Sequence, residues 1–244
     1  MFPIQNAVPT RYPPIATWAL IAANCAVFFV QISLSPSELE WFLRNFALIP
    51  AQYFDSDRDA GASLTEYLPF VTNMFLHGGW LHLILNMWTL WLFGTVVEDR
   101  LGPIRYLVFY LVCGVLASVT HAVFNAESIV PALGASGAIA GVLGCYVSLF
   151  PWARLVVVIP ILFLPFFFEL PAVVFVGLWF LIQVLQGAME LLQPANGGGI
   201  AWWAHVGGFL TGIAVGPLLI RSERSYRTYY DDEGILGFDT SGSR

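Results

Sequence analysis

Lysine is absent from this chain of 244 residues, and its 10 arginines are outnumbered by 16 acids, for a formal charge of -6. No basic surface is left to neutralise a phosphate backbone, which excludes nucleic acid as a partner. Charge of either sign is scarce at 11%, against about 25% in an ordinary globular domain, while hydrophobic residues reach 58%. That balance excludes a disordered chain and speaks against a soluble monomer. Cysteine is sparse too: Cys25, Cys113 and Cys145 stand apart inside apolar runs with no CxxC pair. They fit small buried hydrophobes better than a disulfide framework or a metal site. The HExxH zinc motif is missing, since neither His77 nor His82 is followed by Glu. No metal and no cofactor is implied, and no repeat of solenoid period is present.

What the chain has in abundance is apolar runs. Stretches close to the roughly 20 residues that cross a hydrocarbon core fall at 15–33, 79–97, 104–124, 133–150, 171–192 and 202–220. The expected fold class is therefore an all-α polytopic membrane protein with six transmembrane helices and the lipid bilayer as its solvent. A further run at 155–170, interrupted by Pro160 and Pro165, is too short and too broken for a seventh span and reads as an interfacial or re-entrant connection. The first run carries no small-residue cleavage signature and reads as a retained span.

Orientation follows from the arginines. Six crossings put Arg11, Arg100, Arg105, Arg154, Arg221, Arg224 and Arg227 on one side and only Arg44 and Arg58 on the other. Both termini are thus expected in the cytoplasm: residues 1–14 as a short leading segment and 221–244 as a polar tail. Residues 34–71 become an outer loop whose aromatics suit the membrane interface.

Polar side chains inside hydrocarbon are costly, so the few that remain point to function. In this topology the second, fourth and sixth spans all run inward from the outer side, and His82, Asn86, Ser136 and His205 lie within their first turns. They share one depth, where a nucleophile, a base and hydrogen-bond donors can meet in one cavity. His82 and Asn86, four residues apart, stack on one helix face. They could donate to one oxygen, or simply glue helices together. Ser136 opens a helix among small residues, where free N–H groups and the positive dipole end favour an oxyanion. Its GxxxG spacing, Gly137 to Gly141, also suits plain helix packing. His205 is followed at matching positions by Gly208, Gly212 and Gly216, a stripe that lets a neighbouring helix approach closely, the Ser136 helix being the expected one. His77 reads as a loop histidine, and His121 has no evident role.

These residues resemble the rhomboid family of intramembrane serine proteases, over about 70–216. The resemblance rests on His77-Gly78-Gly79-Trp80-Leu81-His82-Leu83-Ile84-Leu85-Asn86-Met87, on Gly134-Ala135-Ser136-Gly137 and on Ala204-His205-Val206-Gly207-Gly208. Glu98-Asp99-Arg100-Leu101-Gly102 is similar to the acid-x-arginine pair at the inner end of the family's second helix. The resemblance implies a six-helix rhomboid-like bundle, with Ser136 as nucleophile, His205 as base, and His82, Asn86 and the Ser136 N–H as oxyanion donors. It further implies single-span membrane proteins as substrates, and the expected location is a bacterial inner membrane. Two features depart from the pattern. Ala140 stands where many members carry an aromatic ring against the base, and the outer loop has no Trp-Arg pair. No acid in the spans is placed to orient His205, so the expected unit is a dyad. The competing reading is a non-proteolytic membrane factor in which the same cluster binds client helices.

Overall fold

The computed structural model describes residues 2–54, 63–161, 164–192 and 200–221. Helices dominate: Ile15–Ser33, Trp80–Leu101, Pro103–Phe124, Ser136–Leu149, Ala172–Leu192 and Trp202–Leu219 are the first to sixth spans. Five are long and apolar enough to cross a membrane, and the protein is a mostly helical polytopic membrane protein. The fourth, at 14 residues, is shorter, and every residue from Gly137 to Tyr146 in it is buried. A helix enclosed by its neighbours has no lipid face to maintain, which is why glycine and alanine can dominate it.

The first span shows how sequence sets packing. Pro13 and Pro14 precede a helix whose buried residues Thr17, Leu20, Asn24, Phe28 and Gln31 recur every three or four positions, while Trp18, Phe29 and Ile32 are exposed on the opposite side. Its N-terminal donors have no carboxylate of their own. Instead Glu98, from the C-terminal end of the second span, accepts from Ala16 N at 2.8 Å, Thr17 N at 2.7 Å and Thr17 Oγ1 at 2.7 Å. Asp99 accepts from the Arg11 and Tyr12 amides at 2.9 and 2.8 Å. Two acids on one helix thus cap another helix and tie down the chain before it. Glu98→Ala strands these buried donors and should lower stability by about 2–4 kcal/mol. Thermal melting in detergent checks this, and an unchanged midpoint would refute it.

The second span contains a π turn at Leu90–Gly94, between His82 and Asn86 near its N-terminal end and the Glu98-Asp99 pair. Such a turn inserts a residue and rephases the helix. The two polar groups therefore need not share one face. Gly102, at φ 81, then reverses the chain into the third span, a conformation that favours glycine.

The run at 155–170, expected to be an interfacial or re-entrant connection, is built of strands: its described residues belong to an antiparallel pair, β2 (Arg154–Ile161) and β3 (Leu164–Pro171), with Pro160 opposite Pro165. The N-terminal segment adds strand β1 (Phe2–Asn6), antiparallel to β2, giving a three-stranded sheet in the order β1-β2-β3. Helices remain the bulk of the fold, with this sheet added to them. The cause is composition: Val156-Val157-Val158-Ile159 and Phe166-Phe167-Phe168 are β-formers. The prolines, which would break a helix, are tolerated near the end of β2 and along β3, an outer strand. The sheet is anchored to the second span, where Trp88 Nε1 donates to Pro3 O at 2.8 Å and Asn6 Nδ2 to Leu92 O at 2.6 Å.

The loop between the first two spans includes an amphipathic helix, Pro36–Phe46, begun by a Ser35 and Glu38 capping box. A bridge between Leu48 and Ala132, with N–H to O distances of 3.0 and 2.7 Å, ties this loop to the segment leading into Ser136. The tail expected at 221–244 lies, beyond Arg221, outside the described residues, as does Arg58.

Candidate active site

The sixth span packs chiefly against the fourth and third, and glycine makes that approach possible. A Cβ placed on Gly208 would meet the Gly137 carbonyl, one on Gly212 the Gly141 carbonyl, and one on Gly216 the Cys145 sulfur. The glycine stripe after His205 therefore faces the Ser136 helix, as its spacing implied. Backbone contact at this distance brings side chains on the two first turns within reach of each other. Ser136 Oγ lies 2.8 Å from His205 Nε2. His205 is buried and Ser136 half-buried.

The other ring nitrogen of His205 is also engaged. Its Nδ1 lies 2.7 Å from Oε1 of Gln183, a buried residue on the fifth span. Trp179, one turn earlier on that span, sets its ring 5.8 Å from the imidazole at a tilt of 37°. The histidine is thus held from the fifth span, while Ala140, fully buried, is part of the helical core.

On the second span, His82 and Asn86 turn toward the strand of chain that leads into Ser136. A Cβ built on Gly134 would sit 2.8 Å from His82 Nε2 and 3.7 Å from Asn86 Nδ2. Gly134 also has φ 130, so both its backbone conformation and the nearby ring require glycine. His82 Nδ1 accepts the Gly78 N–H at 3.4 Å, which leaves the ring proton on Nε2, the nitrogen nearer Gly134. Asn86 is buried, and its Nδ2 has no hydrogen-bond partner among the described residues. A buried donor without a partner is costly and calls for an explanation. Ser136 begins its helix, so the first-turn N–H groups have no intrahelical acceptor and add further donors here.

His77, expected to be a loop histidine, is buried just before the second span. Its peptide is clamped by Gln31 of the first span: the His77 N–H donates to Oε1 at 3.0 Å, and Nε2 donates to His77 O at 3.2 Å. Burial, with His82 at a ring separation of 5.1 Å, pushes its imidazole down to about 4, so it is neutral near pH 7. Beside Ser136 lies a cavity whose polar lining comes from Asn73, Ser118 and His121. His121, to which the sequence assigned no role, therefore borders the site, and Ser118 accepts from Asn73 Nδ2 at 2.9 Å. Among the described residues no three His, Cys, Asp or Glu side chains gather as metal ligands would.

Gln183, Gln31, Asn73 and Ser118 escaped the sequence reading. One rule could have found Gln183: an uncharged polar residue in the middle of an apolar span is itself a candidate.

Comparison with known proteins gives a consistent picture. The Rhomboid domain family matches residues 64–222. Rhomboid protein 1, mitochondrial, of Saccharomyces cerevisiae is 30% identical over 223 residues, 88% of this chain and 56% of that protein. RHOMBOID-like protein 6, mitochondrial, of Arabidopsis thaliana is 31% identical over 161 residues, covering 64% and 44%. Rhomboid protease GluP of Bacillus subtilis is 34% identical over 147 residues, covering 59% and 27%. The chain thus spans about half the length, or less, of these curated relatives.

Proposed function

The chain belongs to the rhomboid family, and from that premise we propose that it is an intramembrane serine protease that cleaves single-span membrane proteins in or beside their spans. The observation that carries this reading is the 2.8 Å contact between Ser136 Oγ and His205 Nε2 inside a helical membrane bundle. His205 takes the hydroxyl proton as Ser136 attacks the scissile carbonyl. The oxyanion that forms falls among the Ser136 N–H, His82 Nε2–H and Asn86 Nδ2, which are fixed before the reaction and shielded from bulk water. Collapse of the tetrahedral intermediate transfers the proton from His205 to the departing amine and leaves an acyl-enzyme. Water then attacks that ester as His205 takes its proton, and cleavage of the bond to Ser136 Oγ releases the new carboxyl terminus while His205 returns the proton to the serine. The cavity lined by Asn73, Ser118 and His121 supplies polar partners for such a water next to the serine.

The arginine distribution supports cytoplasmic termini and a site opening toward the outer side. On this reading residues 1–14 form a cytoplasmic segment, 15–220 the membrane domain and 221–244 a cytoplasmic tail. The reading is tested with the purified protein in liposomes and a tagged single-span substrate. Two fragments divided at a peptide bond in or near the span are expected. An intact substrate that nevertheless co-purifies with the protein would replace this reading with the client-binding factor.

A further inference from the structure

We infer that Gln183 is the positioning residue for His205, fixing the tautomer that lets Nε2 act as a base; this rests on the reading of Ser136 and His205 as the reacting pair. A neutral imidazole carries one proton on one of two nitrogens, and only the bare nitrogen can accept a proton from serine. The orientation of the Gln183 amide decides which one that is. Its Nε2 donates to the Trp179 carbonyl, one turn back on the same helix, at 3.0 Å. A carbonyl oxygen accepts only, so the NH2 group must face Trp179 and Oε1 must face the histidine. At 2.7 Å from Nδ1, that oxygen has no proton to give and requires Nδ1 to carry one. Nε2 is then bare and directed at the Ser136 hydroxyl, 2.8 Å away.

The same helix face supplies the ring wall. Trp179 and Gln183 are four residues apart, so they stack on one side of the fifth span. Together they grip the imidazole by one edge and one flank, the task for which Ala140 is too small. Gln183 is buried, where an ionised carboxylate would be costly in a membrane span. An amide orients the base without bringing a charge into the bilayer. The unit is therefore Ser136, His205 and Gln183, in which Gln183 never takes the proton.

The test joins activity to a spectroscopic measurement on the full chain in liposomes. Gln183→Met retains length and loses the acceptor, whereas Gln183→Glu retains an acceptor. Nitrogen-15 spectra of the four histidines should show His205 protonated on Nδ1 in the wild type and divided between tautomers in Gln183→Met. Turnover of Gln183→Met should fall about 10- to 100-fold, with KM and the melting midpoint little changed. Gln183→Glu should recover most of that turnover. The acidic limb of its pH–rate profile should move to higher pH, because a carboxylate stabilises the protonated ring. A Gln183→Met protein with wild-type turnover and an unaltered His205 spectrum would overturn the inference. So would a loss that Gln183→Glu does not restore and that tracks a lower melting midpoint. If the wild type cuts nothing yet His205 holds its Nδ1 proton only when Gln183 is present, the proteolytic reading fails while the positioning contact stands.

Discussion

Ser136→Ala, reconstituted with a single-span substrate, should leave that substrate uncut while its helix content and melting midpoint match those of the wild type. The hydroxyl removed is small and half-buried, so little packing goes with it, but it is the hydroxyl that lies against His205 Nε2. In serine proteases, loss of the nucleophile or its base lowers turnover on the order of 10⁶-fold, and loss of both costs little more. His205→Ala should therefore fall as far as Ser136→Ala, and the double variant no further. It should also loosen the fifth span, since Gln183 Oε1 then has no donor. Its melting midpoint is thus expected to drop where that of Ser136→Ala does not. Cleavage by Ser136→Ala above background would remove the nucleophile assignment.

Asn86→Ala carries the second large effect. If its unpartnered Nδ2 serves an oxyanion, turnover should fall about 10²–10³-fold, equivalent to roughly 2.7–4 kcal/mol of barrier. A polar residue that merely bonds helices together in lipid contributes nearer 0.6 kcal/mol, read out as stability. The geometry favours the first outcome: a gluing amide needs a partner, and among the described residues Asn86 Nδ2 has none. His82 Nε2 lies beside the same Gly134 backbone, which on the proposed reading lets both donors serve one oxygen. Their substitutions should then be non-additive, the second costing less in the background of the first. The contrary result is an Asn86→Ala protein that melts several degrees lower yet cleaves at the wild-type rate when folded. It would leave the oxyanion to His82 and the Ser136 amide.

Much of this was legible in the sequence because hydrocarbon is an exacting solvent. The span expected at 15–33 is the helix Ile15–Ser33, and the glycines at 208, 212 and 216 set the approach of two helices through spacing alone. Residues 155–170 are apolar at nearly every position, so no alternation marks a strand. Pairing of β2 with β3 is local, but the third strand comes from residues 2–6, some 150 positions away. The Glu98-Asp99 pair was recognisable as a motif, but its work as a cap for another helix depends on which helix lies beside it. Gln183 was missed for a similar reason. In the topology read from the arginines, the fifth span runs opposite to the three helices that carry Ser136, His205 and the His82-Asn86 pair, and it reaches His205 from the side.

The central claim is that Ser136 is a nucleophile activated by His205 inside the membrane domain. It is tested most directly by treating the folded wild-type protein with a fluorophosphonate and mapping the adduct by mass spectrometry. A serine activated by a neighbouring base displaces fluoride and becomes phosphonylated, whereas an ordinary hydroxyl does not react. The account predicts a single adduct on Ser136, lost in Ser136→Ala and in His205→Ala. A folded wild-type protein that gains no adduct, or gains it at another residue, would contradict the account.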